Sequence, residues 1–96
     1  MLGHHDETRR LHALATNPGT LWEFRAHAQD EMRKDGITKP DVQTVLRRSA
    51  VVKVEQARFE ETWLVHGKDC DERTLEIVVV AYEDVLRIKI ITAWTR

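Results

Sequence analysis

The stretch Arg73-Thr74-Leu75-Glu76-Ile77-Val78-Val79-Val80-Ala81-Tyr82, then Glu83-Asp84, then Val85-Leu86-Arg87-Ile88-Lys89-Ile90-Ile91-Thr92-Ala93-Trp94-Thr95, decides the fold. Both halves are rich in β-branched residues and carry the period of two that a half-buried strand requires. A two-residue connection at Glu83-Asp84 makes them a hairpin with Tyr82 opposite Val85. In that register Leu75, Ile77, Val79 and Ala81 share a face with Leu86, Ile88, Ile90 and Thr92, an almost wholly apolar set that must be covered. Glu76, Val78, Val80 and Tyr82 fall on the other face beside Arg87, Lys89 and Ile91. A slip of one residue would bury Arg87 and Lys89, so the parity is strongly specified.

Upstream, Val51 to Phe59 and Thr62 to Gly67 read as two further strands. The connections, Glu60-Glu61 and Lys68 to Glu72, are short and favour sequential antiparallel pairing. Trp63 and Val65 alternate with Leu64 and His66, and turning His66 outward is the cheaper arrangement. Before Ser49 the period is helical. Thr38-Lys39-Pro40-Asp41 is a capping box that opens a helix over 39–48, with Val42, Val45 and Leu46 as its apolar stripe. A helix from Leu21 or Arg25 to Asp35 precedes it, capped by Gly36, and residues 4–16 form a first helix ended by Asn17-Pro18-Gly19. The fold class is α+β: two to three N-terminal helices on one face of a four-stranded antiparallel sheet. Residues 1–19 read as a helical extension and 20–96 as the single domain.

Composition narrows the function classes. A chain of 96 residues has room for one domain. Its 15 Lys+Arg against 16 Asp+Glu give a net charge of -1, unlike the strongly basic balance of a bulk nucleic-acid binder. The longest apolar run, Ile77 to Tyr82, is far below the roughly 20 residues of a membrane helix, so no membrane partner is expected. No basic region followed by an apolar core marks a secretory leader. Cys70 stands alone, which rules out an internal disulfide and a CxxC metal site and predicts a reduced, cytoplasmic setting. There is no glycine-rich phosphate loop of a nucleotide hydrolase. Charge is nonetheless uneven: residues 60–84 carry two basic and eight acidic groups, while residues 85–96 carry three basic groups and no acid. The last strand thus offers a cationic stripe within a neutral total.

Six residues are candidates for chemistry. Arg87 and Lys89 with Tyr82 and Glu76, and His66 further along the open face, supply the types that metal-free cleavage of an RNA phosphodiester needs: a base for the 2′-hydroxyl, an acid for the leaving oxygen, and cations for the phosphorane. His27, beside the Phe24/Ala28 stripe of the second helix, is a candidate proton carrier. The plainer readings are a solvated sheet face and a histidine that hydrogen-bonds a neighbouring loop. No metal or other cofactor is expected: His4-His5-Asp6 lacks a closing ligand set, and Asp69, Asp71 and Glu72 lack the spacing of a calcium loop. Trp22 and Trp94, at element ends, fit core or a homodimer contact.

The order His27-Ala28, Met32, Gly36-Ile37-Thr38, Asp41-Val42, then Val65-His66-Gly67 with Asp69, then Ile90-Ile91-Thr92, resembles a bacterial family known as domain of unknown function 4258. The resemblance covers roughly residues 24 to 94. The chain departs from it at Glu31 and Asp35, where the family commonly has arginine. That family in turn looks similar to the RelE- and BrnT-type toxins, α+β ribonucleases neutralised by an antitoxin. The resemblance implies a RelE-like domain over 20–96, an RNA or ribosome substrate, and a cognate antitoxin. It also implies His27 as the family histidine and Arg87 and Lys89 on a cation-bearing strand. The alternative is a non-enzymatic protein-binding module or homodimer using the open sheet face and an exposed edge strand.

Overall fold

A computed structural model describes residues 3–96. The elements in order are α1 (His5–Thr16), β1 (Leu21–Phe24), α2 (Ala26–Asp35), α3 (Lys39–Arg48), β2 (Ala50–Gln56), β3 (Glu61–Lys68), β4 (Thr74–Tyr82), a 3-10 turn (Glu83–Val85) and β5 (Arg87–Thr95). The α+β class and the three helices on one sheet face agree with the sequence. The sheet itself differs: it has five strands in the order β1-β5-β4-β3-β2, and β1 runs parallel to β5 while the other pairs are antiparallel.

The added strand is Leu21-Trp22-Glu23-Phe24, where the sequence pattern predicts a helix that starts at Leu21 or Arg25. Trp22 and Phe24 are half-buried against the core while Leu21 and Glu23 face out, the alternation of a strand. Backbone bonds from Leu21 N to Leu86 O (2.8 Å) and from Arg25 N to Ile90 O (3.1 Å) anchor its ends to β5. Edge pairing with β5 satisfies the backbone groups that strand would otherwise leave open. The helix begins only at Ala26.

The β4–β5 connection is a 3-10 turn with Leu86 in the left-handed region (φ 52), so Tyr82 pairs with Arg87 rather than Val85. A shift of two preserves parity, and Leu75, Ile77, Val79, Ile88 and Ile90 are all fully buried under the helices. Two expected core members move. Leu86 is thrown to the surface by the turn, and a bulge on β5 between Ile90 and Thr92 turns Thr92 to the open face and brings Ala93 inward. On β3, Trp63 and Val65 face the core and His66 faces out.

The helices close the layer. The expected capping box is present: Thr38 Oγ1 accepts from Asp41 N (3.2 Å) and Asp41 Oδ2 accepts from Thr38 N (2.8 Å). Gly36, with φ 65, ends α2 in the left-handed conformation that glycine adopts without penalty. Leu11, Leu14 and Ala15 of α1 join the same core as the rest of the chain. Among the described residues no helix is long and apolar enough to cross a membrane.

One close approach makes a test of the fold. A Cβ at Gly67 would lie 1.9 Å from Ser49 Oγ and 2.3 Å from Ser49 Cβ, where α3 gives way to β2. Gly67→Ala is expected to destabilise by about 2 kcal/mol through overpacking. Adding Ser49→Gly should recover most of that loss in a urea melt, because only the Ser49 Cα, at 3.6 Å, then remains in reach. A double variant as unstable as Gly67→Ala would contradict the close-approach account.

Candidate functional site

The register places Tyr82 opposite Arg87 and Val80 opposite Lys89, so three of the six candidate side chains meet at one end of the open face, while Glu76 lies towards the other end, paired with Arg96. The Arg87 guanidinium lies 4.6 Å from the Tyr82 ring centroid and the Lys89 ammonium 5.6 Å from it. A fourth group completes the cluster. Glu60, from the β2–β3 hairpin, accepts a short hydrogen bond from the Tyr82 hydroxyl and pairs with Lys89 Nζ at 3.1 Å. These contacts leave Lys89 only 9 % exposed and bury Val80 beneath them. A lysine this enclosed on an uncovered face needs its partner, since an unpaired buried ammonium is costly.

The electrostatics of the cluster fix its protonation. The Tyr82 hydroxyl, then Lys89, hold the Glu60 carboxyl below its ordinary value, and the Arg25 charge adds to this. Lys89 is held above the usual lysine value first by its bond to Tyr82; burial opposes the shift and Glu60 reinforces it. Near neutral pH the site therefore contains a carboxylate, which accepts from the Tyr82 hydroxyl, and an ammonium. Arg87 is less satisfied: its Nε–H is buried without an acceptor, and Glu23 Oε1 lies at 3.7 Å.

The two histidines stand apart. His66 is on the open face but pairs with Glu76, six residues along β4 from Tyr82, or about 20 Å at the rise of a strand. Its Nε2 lies 3.3 Å from Arg96 instead. His27 is exposed in the first turn of α2, in the helix layer, and no hydrogen bond among the described residues ties it to the cluster. Sequence reading missed Glu60, which sits in a run of acidic turn residues. The signal was the charge pattern: the acidic 60–61 turn faces the cationic last strand once the sheet is assembled.

A second ionic centre holds the opposite end of the domain. Asp69 is fully buried and accepts from Asp71 N (2.8 Å), Arg73 N (2.9 Å) and Arg73 Nε (2.8 Å). Arg73 also donates to Asp35 O (2.9 Å), Gly36 O (3.2 Å) and Asp41 Oδ2 (3.3 Å), clamping the β3–β4 hairpin to the α2–α3 turn. Carboxylate oxygens of Asp41, Asp69 and Asp71 approach within 4.8 Å, but the Arg73 cation and backbone amides already engage Asp41 and Asp69. The chemistry here is that of a structural tie. Asp35, one of the departures noted above, accepts from Thr95 N (3.0 Å) and Thr95 Oγ1 (3.2 Å) and so fixes the end of β5.

Clefts among the described residues border α1, α2 and β2; one reaches Glu83 and Leu86, next to Tyr82 and Arg87 in the chain, but none of these is lined by Glu60, Tyr82, Arg87 or Lys89 themselves. The cluster lies on an open surface, a shape suited to an extended polymer rather than an enclosed small molecule. The class is thus an α+β domain whose helices cover one face of a mixed sheet and whose other face presents a cationic and aromatic cluster. Residues 24–95 match the family described as Domain of unknown function (DUF4258), and the chain belongs to that family. No curated protein matches it. Gly36, Thr38, Asp41 and Asp69, which carry the family resemblance, all serve the cap and the Arg73 clamp.

Proposed function

We propose that the domain cleaves single-stranded RNA by a metal-free transphosphorylation, and that its site is Glu60, Tyr82, Arg87 and Lys89. The observation that carries this reading is the Glu60 carboxylate held ionised against a phenol and an ammonium. In the reaction Glu60 takes the 2′-hydroxyl proton as the 2′-oxygen bonds to phosphorus. The bond from phosphorus to the 5′-oxygen breaks, and that oxygen takes the Tyr82 proton. The protonated Glu60 then returns its proton to the Tyr82 phenolate through their existing hydrogen bond, which restores both groups. Arg87 and Lys89 stabilise the charge that builds on the phosphorane and on the phenolate. The products are a 2′,3′-cyclic phosphate and a 5′-hydroxyl. A RelE- or BrnT-like ancestry, the expectation drawn from the sequence, would agree with this reading, with the base at Glu60 in place of His27 or His66. RNA is then the partner, with an antitoxin as the natural regulator.

The test is incubation of the purified protein with end-labelled single-stranded RNA in EDTA. Cyclic-phosphate ends that the Arg87→Ala/Lys89→Ala double variant fails to produce would support the reading. No cleavage by the wild type, with or without ribosomes, would overturn it. The alternative reading, a protein-binding face, is favoured by a different region: Leu64, Val78 and Trp94 are half-buried neighbours on the same face beyond the cluster. A concentration-dependent dimer in sedimentation, lost in Trp94→Ala, would favour it.

A further inference from the structure

The hairpin that delivers Glu60 also carries an unexplained aromatic. Ala57 and Glu60 exchange backbone hydrogen bonds (2.7 and 3.2 Å), which leaves Arg58 and Phe59 as a two-residue tip. Phe59 is 89 % exposed. Nothing in a hairpin tip calls for an aromatic, since such positions favour asparagine, aspartate and glycine. Leu21, Val85 and Leu86, three other exposed large hydrophobics, lie at the same end of the sheet, around Arg87.

This apolar surface is interleaved with cations rather than continuous. The Arg58 guanidinium sits 5.9 Å from the Phe59 ring centroid, and Arg87 and Lys89 flank the Tyr82 ring. A protein interface concentrates its apolar groups in a core depleted of charge. Rings alternating with cations suit single-stranded nucleic acid, whose bases stack on aromatic faces while its phosphates lie on the cations. Phe59 adjoins Glu60 in the chain, so the tip that carries the ring is the segment that delivers the Glu60 carboxylate to the cluster.

We propose that Phe59 is a base-stacking platform, on which an unpaired nucleobase of single-stranded RNA sits and sets the register of the neighbouring phosphate at Glu60, Tyr82 and Lys89. This rests on the reading of the cluster as an RNA site. Stacking would also supply affinity that the near-neutral charge of the chain does not.

Fluorescence anisotropy with a 2′-O-methyl hexa-adenylate, which cannot be cleaved, and its abasic counterpart tests the idea. The wild type should bind the base-bearing strand about tenfold more tightly, within the range of stacking on one ring. Phe59→Ala should bind both strands alike, and Phe59→Trp should keep the preference, with melting temperatures unchanged in both. A preference that survives Phe59→Ala while RNA cleavage persists overturns the platform and leaves the cleavage site standing. Wild type that binds neither strand overturns both. A dimer that Phe59→Ala dissociates, without oligonucleotide binding, makes the tip a protein contact and also overturns the platform.

Discussion

Arg73→Ala is expected to lower the unfolding free energy by about 3 kcal/mol, the lower end of the cost of orphaning a buried charge. Asp69 would remain fully buried, with its Asp71 and Arg73 backbone donors but no counterion. The α2–α3 turn would also lose donors to Asp35 O, Gly36 O and the Asp41 carboxylate. For a domain of this size the melting temperature should fall by about 15 °C, which circular dichroism would record. Arg73→Lys keeps the charge but not the forked geometry, and should recover only part of the loss. The Asp69→Ala/Arg73→Ala double variant should cost less than the sum of the singles, because it leaves no orphaned charge at position 69, although Asp41 still loses its partner. A loss below about 1 kcal/mol for Arg73→Ala would show that the clamp is marginal.

The same centre gives a pH signature. Burial pushes the Asp69 carboxyl upward, but the bonds from Arg73 and Asp71 outweigh it and hold the group below its ordinary value. A carboxyl depressed in the folded state stabilises fully above its unfolded value, about 3.9, and this contribution is withdrawn as pH falls through the lower folded value. Asp69→Asn should therefore flatten the acid limb of the stability curve below about pH 4. An unchanged acid limb would contradict that assignment.

Glu60→Gln is expected to reduce RNA cleavage about a thousandfold, the middle of the range for removing a general base. Its amide can still accept from Tyr82, so the hairpin and the face should remain in place, as heteronuclear NMR would show. Tyr82→Phe should lose about a hundredfold, because it deletes the acid while keeping the ring on which Arg87 stacks. The pH profile separates this mechanism from one based on histidine. With Glu60 held below its ordinary value, the acid limb of kcat should lie at pH values below about 4.3, with no inflection near about 6.5. An inflection near neutrality, abolished in His66→Ala or His27→Ala, would return the base role to a histidine and sink the Glu60 mechanism.

What the sequence made legible was mostly local or periodic. The Thr38–Asp41 box and the Gly36 cap are fixed by neighbouring residues, and the face assignments of β4 and β5 follow from alternation alone. β1 was hidden for a physical reason. Four residues are too few to separate a strand from a helix turn, and its partner β5 lies more than sixty positions away. The Ile91 bulge was equally silent, since an extra residue among Ile90, Ile91 and Thr92 leaves no mark in an apolar run. Of the candidate site, Tyr82, Arg87 and Lys89 could be grouped because they share a hairpin. Glu60 could not, because its position depends on how a third strand is laid beside them.

The order of the strands also bears on synthesis. β5 is the last of them to be made, yet it is inserted between β1 and β4. Until it emerges, β1 has no neighbour, and the short strand waits exposed while the rest of the sheet forms. Tyr82 is likewise without Arg87 and Lys89 until then. The cluster is thus assembled by the final closure of the fold, through contacts of high sequence separation that are slow to find. A nascent chain carries no finished site, and whatever the cluster does begins only after the polypeptide is complete through β5.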